Sequence, residues 1–337
     1  MGQPDDDGIA VAAPLITAEP LESLAPEWAS LHARSEEQLP YLHPSWQATW
    51  LRHFGKGTEP VFLAVRLDEE LIGVAALDMD PSGARQLGDP EVCDYAGILA
   101  APGQEGAVAS GVLEWVTEDL GSRLTLWGVP EDSPMRTAFA PAAAAFGWSY
   151  TEEEEAIAPR AALPGDFEAY LAGLRKHERH EVRRKLRHLE AAGQVAFESY
   201  TDRASVEANF DRFLEMMRAS RQDKAEFLTG EMEGFFRDLA ASLSDAGLLR
   251  LSSLSLDGKS TAMIFCFESE SSVFLYNSGY DPAFGHLAVG LLSKVLAIRD
   301  AIGRGKRVFD FLRGEEEYKR HLGGEPRRVL RLVMEQS

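Results

Sequence analysis

The clearest pattern of apolar and polar positions lies in the second half of the chain. Residues Val273–Gly279 form a short apolar and aromatic run, which is typical of a buried strand. The pair Asp281–Pro282 predicts a turn, and from Leu287 to Ile302 apolar residues recur at helical spacing until Gly303. Residues Val308–Leu312 form a second apolar run. The pattern therefore predicts a strand, a glycine-containing loop, a helix and another strand.

Polar residues cluster on and after the second of these strands. They are Asp310, Arg313, Glu315, Glu316, Tyr318 and Lys319. Folds of the α/β type place their chemistry at the carboxyl ends of strands, so we expect these side chains at a functional site. The loop before the helix can present free backbone N–H groups to an anion, because the first turn of a helix leaves them without partners.

The first half contains a comparable series of predicted elements. We predict a strand at Pro14–Thr17, helices at Leu21–Ser35 and Tyr41–Gly55 (with Pro44 at a helix start), a hairpin of Pro60–Arg66 and Leu71–Leu77, a strand-like run at Asp94–Leu99, a helix at Glu105–Leu120, a strand at Arg123–Trp127, a helix at Pro134–Phe146 and a strand at Trp148–Tyr150. The acidic run Thr151–Glu155 is predicted to be a solvated surface turn.

The second half begins with helices and then returns to strands. We predict a short helix at Phe167–Gly173 with Asp166 as its N-cap, a basic helix within Leu174–Gly193, a strand at Val195–Tyr200, helices at Ser205–Arg221 and Glu231–Ala246, a hairpin of Leu248–Leu256 and Ser260–Glu268 turning at Asp257–Gly258, and a closing strand at Arg328–Met334.

The two halves repeat one another. The order hairpin (Val61–Leu77), strand (Tyr95–Leu99), helix (Glu105–Leu120), strand (Leu124–Trp127) recurs as Leu249–Phe267, Val273–Gly279, Leu287–Ile302 and Val308–Leu312. A chain of 337 residues is long for a single core. Two copies of one α/β unit with mixed sheets explain both facts, and we expect domains at residues 1–160 and 161–337.

Composition limits the classes of partner. The formal net charge is −20, which disfavours broad binding to nucleic acid or to an anionic membrane. No apolar run is long enough to span a bilayer, and the first residues lack the features of a signal peptide. We therefore expect a cytoplasmic protein with a disordered lead-in, in which Cys93 and Cys266 are free buried thiols.

The basic helix allows two interpretations. It carries seven Lys and Arg residues between Arg175 and Arg187, against Glu178, Glu181 and Glu190. One interpretation is a solvated helix with internal Glu–Arg pairs, and the other is a cationic wall for a phosphorylated or polyanionic substrate.

Several segments resemble a known family. They are HPSWQATWLRHFG (43–55), DYAGIL (94–99), RKHERHEVRRKLRHLE (175–190), LDGKSTAMIF (256–265), YNSGYDPAFGHLAVGLL (276–292) and FDFLRGEEEYKRHLG (309–323). Together they resemble the BioF2-like, CelD/BcsL-type branch of the GNAT acyltransferase superfamily, whose members carry two GNAT folds in tandem. The Fem-type peptidyltransferases, which transfer amino acids from aminoacyl-tRNA to cell-wall precursors, share this architecture.

The resemblance implies transfer of an acyl group from a thioester, usually acetyl-CoA, to an amine. It places the pyrophosphate of acetyl-CoA or another acyl-CoA on the loop Phe284–Gly290, with Gly285, His286, Leu287, Ala288, Val289 and Gly290 as the binding residues. The family usually has Gln or Arg followed by spaced glycines, whereas this loop keeps only Gly285 and Gly290. A turn at a helix start with no ligand is the alternative.

The resemblance also implies roles for individual residues. Asp310 or Glu316 is the expected base, and Tyr318 is either the acid or a packing residue. Lys319 is expected to bind phosphate or to polarise a reacting carbonyl, or else to be a surface lysine. For the acceptor, we expect contacts from Asp94, Tyr95, Trp46, Tyr280 and Arg313. The histidines His177 and His180 are three residues apart, but without further ligands we expect no metal.

The sequence thus predicts a tandem-GNAT N-acyltransferase that uses acyl-CoA and acts on a small-molecule, sugar or peptide amine. One alternative is a Fem-like transferase that uses aminoacyl-tRNA, the only case in which we expect a nucleic-acid partner. Another alternative is a non-catalytic GNAT repeat that binds a partner or metabolite. The acceptor, the acyl chain and the oligomeric state remain open.

Overall fold

The computed structural model describes residues 13–81, 83–119 and 123–336. Most of the predicted lead-in, and Leu120 at the predicted end of a helix, lie outside these residues. The first half contains β1 (Leu15–Ala18), α1 (Leu21–Arg34), a 3₁₀ turn (Pro40–Leu42), α2 (Pro44–Phe54), β2 (Pro60–Leu67), β3 (Glu70–Asp80), β4 (Gly83–Gln86), β5 (Leu99–Ala100), α3 (Glu105–Asp119), β6 (Arg123–Pro130), α4 (Pro134–Ala145) and β7 (Trp148–Ile157).

The second half is richer in helices. It contains β8 (Arg160–Ala162), α5 (Phe167–Gly173), α6 (Lys176–Ala192), β9 (Val195–Tyr200), α7 (Arg203–Ser220), α8 (Gln222–Phe227), α9 (Gly230–Asp245), β10 (Leu249–Leu256), β11 (Lys259–Glu268), β12 (Ser272–Tyr280), a 3₁₀ turn (Pro282–Leu287), α10 (Val289–Gly303), β13 (Val308–Asp310), α11 (Glu317–His321) and β14 (Arg328–Gln336). No helix in the described ranges combines the length and apolar character needed to cross a bilayer.

The strands form two mixed sheets with matching order. The first sheet runs β1-β2-β3-β4-β6-β14-β7, with β5 paired to β3, and the second runs β9-β10-β11-β12-β13-β8. In each sheet a hairpin is followed by a strand that pairs in parallel with a later one, β4 with β6 and β12 with β13. The mixed α/β class and the predicted repeat are confirmed.

Each sheet also depends on the other half of the chain. Strand β14 comes from the C-terminal end but inserts between β6 and β7 of the first sheet. Strand β8 leads out of the first half and pairs with β13 of the second sheet. The predicted domain boundary after residue 160 stays a prediction. The first sheet contains strands from both sides of it, because β14, the last strand, returns to the first half.

Two local predictions are wrong. Residues 94–98 do not form a strand: the Ala96 N–H donates to the Gly128 carbonyl, and Tyr95 packs against the second half, so β4 takes the place of this run in the repeat. The run Thr151–Glu155 is not a turn but the middle of β7. Its acidic side chains are tolerated there because the strand lies at a sheet edge, where Glu152 pairs with Arg136.

Helices α7 and α10 cover opposite faces of the second sheet. Met216 and Met217 of α7 belong to a core that extends into the first half, whereas Leu292 and Val295 of α10 belong to a separate core. Helix α7 approaches the sheet closely at Gly279, where a Cβ atom would lie 2.3 Å from the Met217 nitrogen. The glycine therefore permits this packing. The two cysteines are free and buried, as predicted.

Candidate functional site

The second sheet opens into a wedge beside α10. Strands β12 and β13 pair only over Ser272–Phe274 and Val308–Asp310, and β12 then continues to Tyr280 without this partner. A cavity of about 330 Å³ lies beyond the pairing. Its lining comes from β12, the start of α10, the segment after β13 and the junction of α7 with α8: Ser220, Arg221, Lys224, Ser278, Tyr280, Gly285, Ala288, Gly290, Leu291, Lys294, Glu316 and Tyr318. We call it the wedge cavity.

Helix α10 begins at the wedge cavity in an unusual conformation. Ala288 precedes it with φ of +56°, in the left-handed region, and its carbonyl accepts the first hydrogen bonds, from Leu291 and Leu292 N–H. The amides of Val289 and Gly290 come before these bonds, so the helix itself supplies them no carbonyl. Gly290 lines the wedge cavity whereas Val289 is fully buried, so the Gly290 amide and the helix dipole together favour an anion at this point.

Gly290 allows the Tyr280 ring to pack against the start of α10. A Cβ atom at Gly290 would lie 2.9 Å from Tyr280 Cδ1, closer than carbon atoms normally approach, whereas one at Gly285 would make an ordinary 3.9 Å contact with the same ring. Gly290 is therefore the more constrained of the two glycines, and a larger residue there would displace the ring from the cavity wall.

Two lysines line the wedge cavity from opposite sides of β12. Lys294 of α10 donates to the Ser278 hydroxyl at 3.0 Å and the Gly290 carbonyl at 2.8 Å. Lys224 of α8 donates to the Asn277 side-chain oxygen at 2.9 Å and the Ser278 carbonyl at 2.5 Å. Burial lowers the pKa of Lys294 to about 7 and that of Lys224 to about 8.

Glu316 reaches the wedge cavity from the segment after β13. Its carboxylate lies 2.9 Å from the Lys319 ammonium. Burial alone would raise the pKa of Glu316, but the hydrogen bond and the charge of Lys319, with smaller contributions from its own backbone and from Arg221, together hold the pKa below its usual value. The Tyr318 ring lies 5.2 Å from the Lys294 ammonium, and burial raises the pKa of Tyr318 well above its usual value. Glu316 is thus ionised and Tyr318 protonated at neutral pH.

Comparison with known proteins identifies the fold that these features belong to. Residues 176–320 match the family described as Acetyltransferase (GNAT) domain. Among solved structures, FemX superposes with a TM-score of 0.66 at 12% identity, covering 96% of this chain and 97% of that chain. A conserved protein of unknown function from Bacteroides thetaiotaomicron gives 0.63 at 11% identity, covering 96% and 100%. A tandem GNAT protein from the clavulanic acid biosynthesis pathway gives 0.51 at 15% identity, covering 96% and 99%. No curated protein matches this chain.

The chain has the tandem GNAT fold. The segment that matches the GNAT family runs from α6 to α11 and contains every residue that lines the wedge cavity. The first half supplies the second GNAT unit of the tandem, completed by β14. The predicted architecture is therefore confirmed, and the wedge cavity lies within the GNAT unit that sequence comparison also identifies.

Within this tandem GNAT fold, Lys319 occupies a structural position. It is only 2% exposed, and its ammonium donates to the carbonyls of Leu312, Arg313 and Gly314 at 3.1, 2.6 and 3.2 Å besides pairing with Glu316. Neither predicted role fits this environment: it is not a surface lysine, and its donors are already engaged. It holds the turn that carries Glu316 into the wedge cavity.

Asp310 faces the junction between the two GNAT units. It is 1% exposed and accepts hydrogen bonds from the Tyr95 hydroxyl at 2.9 Å and from Leu312 N–H at 2.8 Å. Burial raises the pKa of Asp310 to about 6, although Arg327 opposes the change. Asp310 lines a different cavity, of about 450 Å³, together with Glu37. The two predicted candidate bases therefore do not line the same cavity.

Three residues predicted to contact the acceptor join the two halves instead. Asp94 accepts from the Arg313 N–H at 2.9 Å and from the Tyr41 hydroxyl at 2.9 Å, while the Asp94 carbonyl accepts from the Arg313 guanidinium at 2.6 Å. Tyr95 is buried against Asp310. Asp94 and Arg313 thus bond each other across the halves and Tyr95 bonds Asp310, and none of the three lines the wedge cavity.

The other predicted residues divide into lining and core positions. Tyr280, Gly285, Ala288 and Gly290 line the wedge cavity, whereas His286 is exposed outside it and Leu287 and Val289 are packed in the core. The prediction for Trp46 is wrong: it is fully buried among Tyr41, Phe235, Phe267 and Tyr276 and cannot line an acceptor pocket.

Sequence reasoning missed the two cavity lysines. A signal for Lys294 was present, because between Leu291 and Ile298 it lies among residues of α10 that are apolar apart from Ser293, which favours a buried position. Lys224 lies in α8, a helix that was not predicted. No cluster of three or more His, Cys, Asp or Glu side chains suited to a metal occurs in the ranges that the structure covers.

Proposed function

We propose that the protein is an N-acyltransferase that moves an acyl group from acyl-CoA to an amine, with the donor bound in the wedge cavity. The observation that carries the proposal is the opening between β12 and β13 at the start of α10. There the two small residues Ala288 and Gly290 line the cavity, and the Gly290 amide has no carbonyl partner within the helix. A nucleotide-bearing thioester supplies the anionic groups that such a site favours.

The contacts fit the donor in two parts. The first-turn amide of Gly290, which lines the wedge cavity, would hold a phosphate oxygen, helped by the positive end of α10. The rest of the wedge cavity would receive the acyl end between the strands, so that the reacting groups are held together. This proposal uses the predicted loop residues that line the cavity and leaves His286, which is exposed outside it, without a role.

Glu316 is the better candidate for the base. It is ionised at neutral pH and lines the wedge cavity, whereas Asp310 lines the other cavity and is occupied by Tyr95 and Leu312. Glu316 would take the proton from the amine directly or through water, and Tyr318, which stays protonated, would give one to the departing thiolate. Lys319 is a positioning residue that fixes Glu316 through their ion pair.

Calorimetric titration with acetyl-CoA tests donor binding. Gly290→Val should weaken binding by about tenfold or more, because its side chain would displace Tyr280 and crowd the amides. Gly106→Val is the matched control: Gly106 is also the second residue of its helix, and a Cβ atom there meets nothing within 4 Å. Absence of binding to the wild type, or equal binding by Gly290→Val, would refute the donor site.

Turnover tests the assignment of the base. Release of free CoA thiol is followed with a panel of primary amines. Glu316→Gln should lower kcat by about a hundredfold or more with little change in acetyl-CoA affinity. Asp310→Asn provides the comparison, and a larger loss in that variant would move the role of base to Asp310.

A second candidate donor is aminoacyl-tRNA. It is favoured by helix α6, which packs beside the turn Pro282–Leu287. The N-cap residue Arg175 and the helical residues Lys176 and Arg187 are exposed, and none of them forms an ion pair with another described residue. The predicted Glu–Arg pairs account for only part of this helix, at Arg184 and Lys185 with Glu181. A gel shift with aminoacyl-tRNA at physiological salt, without competition by acetyl-CoA, would favour this donor.

A further inference from the structure

Lys224 and Lys294 both donate hydrogen bonds to Ser278, which lines the wedge cavity. Lys224 donates to the carbonyl of Ser278 and Lys294 donates to its hydroxyl. Each lysine makes one further hydrogen bond, Lys224 to Asn277 and Lys294 to the Gly290 carbonyl. All four acceptors are neutral. An ammonium has three N–H groups, so each lysine that is charged has one donor left for a ligand in the cavity it lines.

The charges around the wedge cavity leave these two lysines unbalanced. The other charged residues that line it are already paired: Arg221 with Asp223 at 2.7 Å and Glu316 with Lys319 at 2.9 Å. Within the described part of the chain, no carboxylate lies within salt-bridge distance of Lys224 or Lys294. Lys294 is only 7% exposed, and a buried charge without a counter-ion is costly. An anion placed between them would remove this cost.

The lysines also approach from the two faces of the sheet. Lys224 follows α7, which packs on the face that belongs to the shared core, and Lys294 lies on α10, which covers the opposite face. They meet where β12 has separated from β13, so the wedge cavity opens through the sheet. A donor entering beside α10 and an acceptor entering beside α7 would meet at this point.

We propose that Lys224 and Lys294 form a carboxylate-binding subsite, so that one of the two reactants carries a carboxylate next to its reacting group. The proposal rests on the proposed acyl transfer and adds the substrate class. The carboxylate belongs either to the acyl chain, as in a dicarboxylic acyl-CoA, or to the amine, as in an amino acid. A planar carboxylate can accept from both ammonium groups at once across Ser278, while the phosphates of the donor bind at the start of α10.

Binding at this subsite changes protonation. Burial lowers the pKa of both lysines, and Lys224 lowers that of Lys294 further. A bound carboxylate favours the charged form of both, so about one proton should be taken up near pH 8. The other titratable or charged groups around the two lysines are Arg221, Asp223, Cys266, Glu316, Tyr318 and Lys319. Of these, only Asp223, Cys266 and Glu316 act to raise either pKa, and Asp223 and Glu316 are held by Arg221 and Lys319.

Calorimetry with paired probes tests the subsite and identifies its source. At pH 8, in Tris and in HEPES, succinyl-CoA is compared with acetyl-CoA, and L-alanine is compared with L-alaninamide in the presence of CoA. In one of the two pairs, we expect the ligand that carries the carboxylate to bind roughly tenfold to hundredfold more tightly than its neutral partner, with proton uptake. Lys224→Met and Lys294→Met should abolish the preference, whereas Lys56→Met, an exposed lysine far along the chain from both, should keep it.

A third pair of probes, free succinate against succinamide without CoA, separates this proposal from acyl transfer. If acetyl-CoA binds but every carboxylate matches its neutral partner, the subsite is refuted and the donor site stands. If succinate binds through the lysines but no CoA ester binds, acyl transfer is refuted and the subsite stands. A preference that survives in both methionine variants, or displacement of succinate by tighter-binding inorganic phosphate, would overturn the carboxylate assignment.

Discussion

Replacing Lys294 by methionine should change how stability depends on pH. The ammonium is buried in α10 and bonded only to the neutral Gly290 carbonyl and Ser278 hydroxyl. Its pKa falls from the ordinary 10.5 to about 7 in the folded protein because burial disfavours the charged form. Methionine has a similar length and no charge, so the variant keeps the packing of the helix and loses the cost of the buried ammonium.

The sign of the effect follows from proton binding. Between pH 7 and 10.5 the unfolded chain binds more protons at Lys294 than the folded protein, so wild-type stability rises with pH over this range. The pKa difference of about 3.5 corresponds to roughly 5 kcal/mol between the two limits. The variant gains this amount at low pH but loses two hydrogen bonds, worth about 1 kcal/mol each.

Lys294→Met should therefore be more stable than the wild type by roughly 3 kcal/mol near pH 6 and less stable by about 2 kcal/mol near pH 10.5. Urea unfolding followed by tryptophan fluorescence at several pH values measures the difference, with Lys56→Met as the exposed control. A difference in unfolding free energy that stays constant from pH 6 to pH 10 would show that Lys294 is an ordinary solvated lysine, and the electrostatic reasoning about the wedge cavity would be wrong.

Three further predictions concern other parts of the fold. Gly279→Ala should destabilise the protein by about 2 kcal/mol or more, since its Cβ would meet the Met217 backbone, whereas Gly303→Ala, where a Cβ meets nothing, should not; thermal unfolding compares them. The Asp166 carboxylate caps α5 by accepting from the Ala169 N–H at 2.7 Å, so Asp166→Ala should lower the free energy of urea unfolding by about 1 kcal/mol. No change would mean that water replaces the cap without loss of stability. The pKa of Asp310 is raised to about 6, so its contribution to the free energy of unfolding is greatest below pH 4 and falls by up to about 3 kcal/mol as the pH rises through 6. Asp310→Asn should lack this decline when urea unfolding is measured from pH 4 to 7.

Local sequence signals predicted the regular elements well where periodicity was long or a cap was present. The Asp257–Gly258 hairpin turn joins β10 and β11 as expected, and Asp166 caps α5 through its side chain. The two glycines of the α10 loop were expected at the donor site from the family resemblance, and both line the wedge cavity. In these cases the determining contacts lie within a few residues along the chain.

Failures of prediction arise from contacts between distant residues. The Asp94–Leu99 run has the apolar composition of a strand, but its partners are Asp310 and Arg313 in the other half, so tertiary contacts override the local preference. The exchange of β8 and β14 between the sheets leaves no mark in composition. The role of Lys319 also depends on burial, which its polar surroundings in the sequence do not reveal.

Among the described residues, the start of α3 differs from the start of α10 in its charge. In the first half the Glu105 carboxylate accepts from the Gly103 N–H at the start of α3, which places a negative charge where an anion would otherwise bind. Beyond the β4–β6 pair, the Trp127 indole N–H donates to the Gln86 carbonyl at 3.0 Å, which ties the two strands together.

The first GNAT unit is connected to Glu316 in the second unit by a series of side-chain contacts. Asp94 accepts from the Arg313 N–H, the Arg313 carbonyl accepts from Lys319, and Lys319 holds Glu316 at the wedge cavity. This series of contacts makes the position of Glu316 depend on a residue from the other half of the chain. Under the proposed acyl transfer, the duplicated unit would therefore contribute by orienting the segment after β13 rather than by binding a donor itself.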